Sequence, residues 1–350
     1  MKYKNTKILY TYTNRTSFVK KDLDILMKNY ALTTYHFKTK NKILTPLSFL
    51  LQAIHLLFLG WRYDVLVMFF SGYHSVLPCL FARMTRKRSI IFLGGTDCFM
   101  YPSFNYGNFT KPLYGKSTCI SAHNASLLVP VSENLIYSES DYYTVDSTVQ
   151  GIAHWCKPLD TEFKIIPLEY NTEIFYRRDV ERKPNSFLTV AFGIQGTSFI
   201  RKGIDKVIMV ASHFPEYDFT ILGCHQSEFP VPVPNNVTLI PPVPYEELPL
   251  HYSRHEFYFQ LSIAEGFPSA ICEAMLCECI PIGSNVAAIP SIISGNGFLV
   301  FKRDDQKIIE SVKKAVSSEN KEEISKQARS HIMATYGKGK REEELLGIIN

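Results

Sequence analysis

No apolar stretch of this 350-residue chain runs long enough, without interruption, to cross a bilayer. The segment 47–61 falls short of the roughly 20 residues that a spanning helix needs, and it contains Gln52 and His55. The longer segment 65–82 holds Gly72, His74 and Pro78, which suits a strand followed by a helix. Paired cysteine spacing is missing as well: the closest of the eight cysteines, Cys272, Cys277 and Cys279, lack the C-x-x-C of a zinc site. With no cleavable leader before Lys7, the cysteines are expected to be reduced thiols of a cytoplasmic protein, packed in its core. The charge balance is weak. A surplus of +5, from 38 Lys and Arg against 33 Asp and Glu, argues against nucleic acid and fits an anionic small ligand or a membrane surface. Solenoid-period repeats and low-complexity segments are also lacking.

What remains is globular: 46% hydrophobic and 20% charged residues, enough chain for two domains of ordinary size. Strands are expected at 7–12, 33–37, 65–70, 89–93, 127–131 and 163–167, with helices between them from Phe18 to Met27, over 47–59 and over 77–84. The second half repeats the alternation, with strands at 187–192, 218–222 and 237–240, helices at 203–212 and 245–252, and charged helices over 305–317 and 321–335. Strand and helix in alternation predict an α/β fold with parallel sheets. The polar run 176–186 (YRRDVERKPNS) is the linker candidate.

The densest chemistry lies in 257–300. A strand containing Phe257, Tyr258, Phe259 and Leu261 turns at Glu265-Gly266-Phe267 and enters a helix with Pro268 in its first turn. The free N–H groups of that turn, with the positive end of the helix dipole, suit a phosphate. Glu265 and Glu273 flank it and can accept hydrogen bonds from sugar hydroxyls. Together these features predict a nucleotide-sugar pocket.

The same block resembles the donor-site signature of retaining glycosyltransferases of the GT-B fold, family four, whose hallmark is a glutamate, seven residues and a second glutamate. Glu265 and Glu273 have that spacing, and EGFP at 265–268, EAM at 273–275, Pro281, Ser284, Ile289-Pro290 and GFLV at 297–300 follow in register. IIPLEYNTEIF at 165–175 is similar to the family's interdomain segment, with Asn171 where aspartate is usual. The resemblance implies two Rossmann-like domains facing across a cleft: an acceptor domain over 1–176, a donor domain over 177–335, and a C-terminal segment over 336–350 crossing back. It implies that Glu265 contacts the transferred sugar, that Glu273 holds the ribose, and that backbone N–H groups around Gly266, Phe267, Pro268 and Ser269 face sugar or phosphate. Lys202-Gly203 matches the family's lysine-glycine, after a loop that opens at Gly193. The family's usual arginine is replaced by Ile194, and Arg201 is the candidate to take its place. Both cations read as standing at a helix start, where an anion is needed to make them favourable.

Gly94 stands where many members have a histidine, while Asp97 is retained. Asp97 therefore reads either as an acceptor-orienting catalytic group or as a helix cap. The fold family uses no metal or other cofactor, consistent with the absence of a D-x-D pair at a strand end. The expected partners are a UDP- or GDP-sugar donor and a glycan or lipid-linked acceptor of surface polysaccharide synthesis; the cluster of Arg83, Arg86, Lys87 and Arg88, with the aromatic stretch 99–114 and the apolar helix at 47–61, reads either as a peripheral contact to the inner membrane face or as a solvated helix end. Two alternatives share the architecture: a nucleotide-sugar 2-epimerase and a non-catalytic scaffold. Tyr114-Gly115-Lys116-Ser117 is not a P-loop, since the glycine five residues before Gly115 is replaced by Thr110. His123 reads as structural.

Overall fold

The computed structural model describes residues 5–38 and 44–349. The chain forms two compact units. One comprises residues 1–138, 149–168 and 340–350, the other 139–148 and 169–339.

In the first unit five parallel strands, β1 (Lys7–Tyr12), β2 (Ala31–His36), β3 (Val65–Phe69), β4 (Arg88–Leu93) and β5 (Leu127–Pro130), stand in the order β2-β1-β3-β4-β5. Every residue of β3 and β5 is buried, as parallel strands covered on both faces require. The connections carry α1 (Ser17–Asn29), α2 (Thr45–Leu59), α3 (Tyr73–Thr85) and α4 (Pro112–Asn124), with the short α5 (Ile152–Trp155) beyond β5. Ile8, Tyr10, Val67, Phe92 and Val129 make the core on one face of the sheet, and the last helix of the chain adds Leu345, Ile348 and Ile349 to it.

The second unit has six parallel strands. They are β6 (Lys183–Val190), β7 (Asp218–Leu222), β8 (Val237–Ile240), β9 (His255–Gln260), β10 (Ile280–Ser284) and β11 (Phe298–Val300), in the order β8-β7-β6-β9-β10-β11. Phe187 on β6 stacks on Phe219, Phe257 and Phe259 of the neighbouring strands at 4.9–5.0 Å, an aromatic plate across the centre of the sheet. The helices are α6 (Thr197–Arg201), α7 (Ile204–His213), α8 (Leu248–Arg254), α9 (Ser269–Leu276), α10 (Ile289–Ile293), α11 (Asp305–Val316) and α12 (Lys321–Tyr336); α13 (Lys340–Ile349) belongs to the first unit.

Several expectations are corrected. Residues 163–167 form no strand but a single parallel bridge, Leu128 to Phe163, continued by backbone hydrogen bonds to Leu128 and Pro130. The run 176–186 is no free linker, because its arginines bind helix ends. Arg177 donates to the Ser253 carbonyl at 2.6 Å, and Arg182 donates to Glu278 and Cys277 at 2.8 and 3.0 Å. These are the carbonyls that helix C-termini leave unpaired, and a cation suits them. The units accordingly change over at 168/169 rather than 176/177, the second unit takes in 139–148, and the returning segment begins at 340 rather than 336. The cysteines are not all thiols: Cys119 on α4 pairs with Cys156 at the end of α5 as a disulfide, while Cys272, Cys277 and Cys279 are buried and free. Among the described residues no helix is long and apolar enough to cross a membrane.

Candidate functional site

The strand order of the second unit reverses direction between β6 and β9, which pair through Phe187–Phe257 and Leu188–Tyr258. In open parallel sheets the loops beyond the carboxyl ends of two such strands diverge to opposite faces and leave a crevice that ligands use. Here those loops are 191–203 and 261–268, and they carry Gly193, Arg201, Lys202, Glu265, Gly266, Phe267 and Pro268.

The two loops are tied together. The Ile263 N–H donates to the Arg201 carbonyl at 2.7 Å, and the Arg201 guanidinium donates to the Ala264 carbonyl at 3.1 Å. Gly203 is what permits the approach. Its φ is +74°, and a Cβ there would lie 2.1 Å from the Leu261 carbonyl oxygen. Lys202 is half-buried, and its ammonium donates to the Phe192 carbonyl. Burial lowers its pKa, Glu265 opposes that shift, and the Arg201 charge adds to it. The two cations do not stand at a helix start as expected. Arg201 closes the five-residue α6 and Lys202 caps it, so they lie at a C-terminus, which favours cations, before Gly203 opens α7.

Glu265 is half-buried and positioned by a relay along the strand end. Ser262 Oγ donates to its Oε1 at 2.9 Å, and Gln260 Nε2 reaches Ser262 Oγ at 2.8 Å and Glu265 Oε1 at 3.5 Å. Tyr258 hydrogen-bonds Gln260 Oε1 at 3.3 Å, and the Ser262 carbonyl accepts from Ser284 at 2.6 Å. Polar Gln260 and Ser262 interrupt an otherwise apolar strand end, which is the signal the sequence carries for them.

Pro268 is the residue before α9 rather than part of its first turn; its extended ψ of 106° stops it one position short. Ser269 opens the helix and its hydroxyl accepts from Tyr170 at 3.1 Å, while the Tyr170 ring stacks on Phe267. Glu273, one turn on, is buried, and its Oε2 accepts from the Tyr252 hydroxyl at 3.1 Å. The far end of α9 is held by cations: Arg182 and Arg329 donate to the Leu276, Cys277 and Glu278 carbonyls. Its positive end is thus left directed at the crevice, beside the loop carrying Glu265. Across that crevice, Gly193 and Gly196 adopt positive φ and are exposed, with nothing within 4 Å of where a Cβ would stand. The 139–148 segment adds Tyr142, whose hydroxyl donates to the Leu261 carbonyl at 3.3 Å. Neither its position nor its role was legible from sequence.

Asp97 belongs to the other unit and caps no helix there. It is wholly buried; Oδ2 accepts from the Ser71 N–H at 2.9 Å and Oδ1 from Gly94 and Gly95 at 3.2 and 3.0 Å. It clamps the loop after β3 to the loop after β4. Burial pushes its pKa up to about 6, against the pull of those N–H groups. The glycine at 94 also has a cause: a Cβ there would come within 2.5 Å of the Phe70 ring, which fills the space a histidine would need. Gly115 and Lys116 lie inside α4, and both His123 nitrogens are engaged with backbone carbonyls, each at 2.7 Å.

Residues 192–331 match the family model for glycosyl transferases group 1. No curated protein matches the chain. Among solved structures, sucrose-phosphate synthase from Thermosynechococcus elongatus is similar over 98% of both chains, with a TM-score of 0.73 and 12% identity. HepE of Anabaena in complex with UDP and glucose aligns over 98% of this chain and 99% of its own, with a TM-score of 0.68 and 13% identity. A glycosyltransferase from Rickettsia africae aligns over 99% and 98%, with a TM-score of 0.66 and 13% identity. At such identities the structures speak for the fold, and the family model speaks for the crevice-bearing unit. Residues 192–331 thus resemble the glycosyl transferases group 1 family, and the chain as a whole has the GT-B fold.

Proposed function

We propose that the chain transfers a hexose from a UDP-sugar to a glycan or lipid-linked acceptor with retention of configuration, without a metal ion, in surface polysaccharide synthesis at the cytoplasmic face of a membrane. The observation that carries the donor site is the union, at one switch point, of Lys202, the relay-held Glu265 and the amino end of α9. UDP is favoured over GDP because HepE was solved with UDP and with UDP-glucose.

As the bond from the anomeric carbon to the diphosphate oxygen breaks, negative charge grows on the leaving group. Lys202, Arg201 and the α9 N–H groups around Ser269 are the fixed positive groups at hand, and such preorganised partners act most strongly where charge develops. Glu265 accepts from sugar hydroxyls and Glu273 from the ribose. The acceptor hydroxyl attacks the face the diphosphate leaves, and its proton passes to a departing phosphate oxygen, so no protein base is required. Asp97, already bonded to three N–H groups, serves by holding the loops of the acceptor unit rather than by touching substrate.

A thermal-shift panel with UDP, GDP, dTDP, CDP and their sugars, run in chelator, tests this reading. Ligand at about a hundred times its Kd adds ~2.7 kcal/mol of stability, a shift that is easily seen. A shift with uridine nucleotides, lost in Lys202→Ala, is expected. No shift with any nucleotide would overturn the proposal.

A further inference from the structure

Over residues 139–148 the chain leaves the first unit and belongs to the second. The segment is closed at its neck by the Ser140 N–H, which donates to the Thr148 carbonyl at 2.9 Å. Its other bonds go to three neighbouring strands of the second sheet, each just past the carboxyl end. The Tyr142 hydroxyl donates at 3.3 Å to the carbonyl of Leu261, the residue after β9. Ser140 Oγ donates at 2.8 Å to the carbonyl of Asn285, the residue after β10. Beyond β11, the Arg303 N–H donates to the Tyr142 carbonyl at 3.2 Å, and Lys302 pairs with Asp141. The segment is therefore a strap across the ends of β9, β10 and β11, where the loop 261–268 begins.

What the strap holds is a carbonyl of the donor crevice. Leu261 is 1% exposed, and Tyr142 is the one donor to its carbonyl among the described residues. Gly203 approaches the same oxygen, which brings it against the loop that carries Lys202. One residue on, Ser262 donates to Glu265, and the Ser262 carbonyl accepts from Ser284, the neighbour of Asn285. Tyr142 itself is buried beside Asp205 and Arg303, which pair at 2.5 Å. Burial pushes its pKa up, so the hydroxyl keeps its proton and stays a donor at neutral pH. A buried carbonyl stripped of its donor costs about as much as the lost hydrogen bond, so the loop would shift to pair it again.

We propose that Tyr142 is a positioning residue: through the Leu261 carbonyl, the 139–148 strap sets the placement of the loop 261–268 and hence of Glu265. Its consequence for ligands rests on the donor-site reading above, whereas the hold on the loop does not.

Hydrogen exchange of the full chain without nucleotide reads that hold directly. In Tyr142→Phe, which keeps the ring, the amides of 261–268 are expected to exchange about tenfold faster, while those of β9 and β10 keep wild-type rates. Ser140→Ala, which frees the strap from Asn285, is expected to act in the same direction and less strongly. Calorimetric titration with UDP-glucose as the probe reads the consequence: binding about tenfold weaker in Tyr142→Phe, with UDP changed less than twofold. In a Glu265→Gln background, Tyr142→Phe is expected to weaken UDP-glucose little further, because both act through one contact. Unchanged exchange over 261–268, or a uniform rise across the second sheet, would overturn the proposal, since the tyrosine would then be a packing residue only. So would wild-type affinity of Tyr142→Phe for both ligands. A wild-type chain that binds neither ligand would overturn the donor-site reading instead, and the exchange rates would still decide whether Tyr142 holds the loop.

Discussion

Asp97 is a carboxylate kept out of water by design of its neighbours, and its cost shows up as a pH dependence. Burial pushes its pKa up to about 6, so between pH 4 and 6 the folded chain holds more of its proton than the unfolded chain does. That contribution makes the fold more stable as pH falls. His74 and His255 act in the opposite sense. Both are pushed down to about 4 by burial, so below about pH 6.5 the unfolded chain takes up protons that the folded chain refuses, and stability falls with pH. Each such group contributes a slope of up to ~1.4 kcal/mol per pH unit within its window. Two histidines outweigh one carboxyl, so the urea midpoint is expected to drop from pH 6.5 toward 4. In Asp97→Asn the drop should be steeper, because the opposing group is gone. It should start from a stability lower by ~1–3 kcal/mol, because an amide N–H₂ would face the Ser71 N–H. A shallower drop in the variant would contradict the assignment of Asp97 as the buried, proton-binding clamp.

At the scale of elements, α13 gives the clearest case of a short segment held by one side chain. Arg341 forks onto both Asp22 oxygens at 2.7 and 2.8 Å, and its remaining nitrogen donates to the Ile166 and Pro167 carbonyls at 2.7 and 2.9 Å, all of it buried. Replacing it by methionine strands a buried carboxylate and two carbonyls, so Arg341→Met is expected to cost ~3–5 kcal/mol by urea unfolding. The double variant with Asp22→Leu should cost less than the sum of the singles. Much of the element map could be read in advance, because buried parallel strands such as VLVMF at β3 announce themselves as apolar runs. The failures have physical causes too. The run at 176–186 has the composition of a linker, yet its arginines are caps for helices that lie about 75 and 95 residues further along the chain. Cys119 and Cys156 are separated by 37 residues, and nothing in that spacing says that α4 and α5 bring them together. At the site itself, the glutamates and Lys202 stand out by motif, whereas the groups that orient the glutamates, Gln260, Ser262 and Tyr252, are ordinary polar residues until folding places them.

For the whole molecule, the two units use the same strand–helix logic with different strand orders, β2-β1-β3-β4-β5 in one and β8-β7-β6-β9-β10-β11 in the other. Each order reverses once, so each unit offers one crevice at the carboxyl ends of its strands. In the second unit that crevice is lined by Arg201, Lys202, Glu265 and a helix start; in the first, the loops after β3 and β4 are braced by Asp97. This division of labour is the central claim, and a calorimetric titration of UDP and of its cognate UDP-sugar into matched variants tests it most directly. Lys202→Ala should weaken both ligands at least tenfold, having lost the contact to the diphosphate. Glu265→Gln should weaken the UDP-sugar about tenfold and leave UDP unchanged, since a hydrogen bond to a charged group is worth ~1.5–3 kcal/mol and the sugar alone would make it. If Glu265→Gln weakened UDP as much as the UDP-sugar, or if neither variant altered either ligand, the crevice between β6 and β9 would not be the donor site.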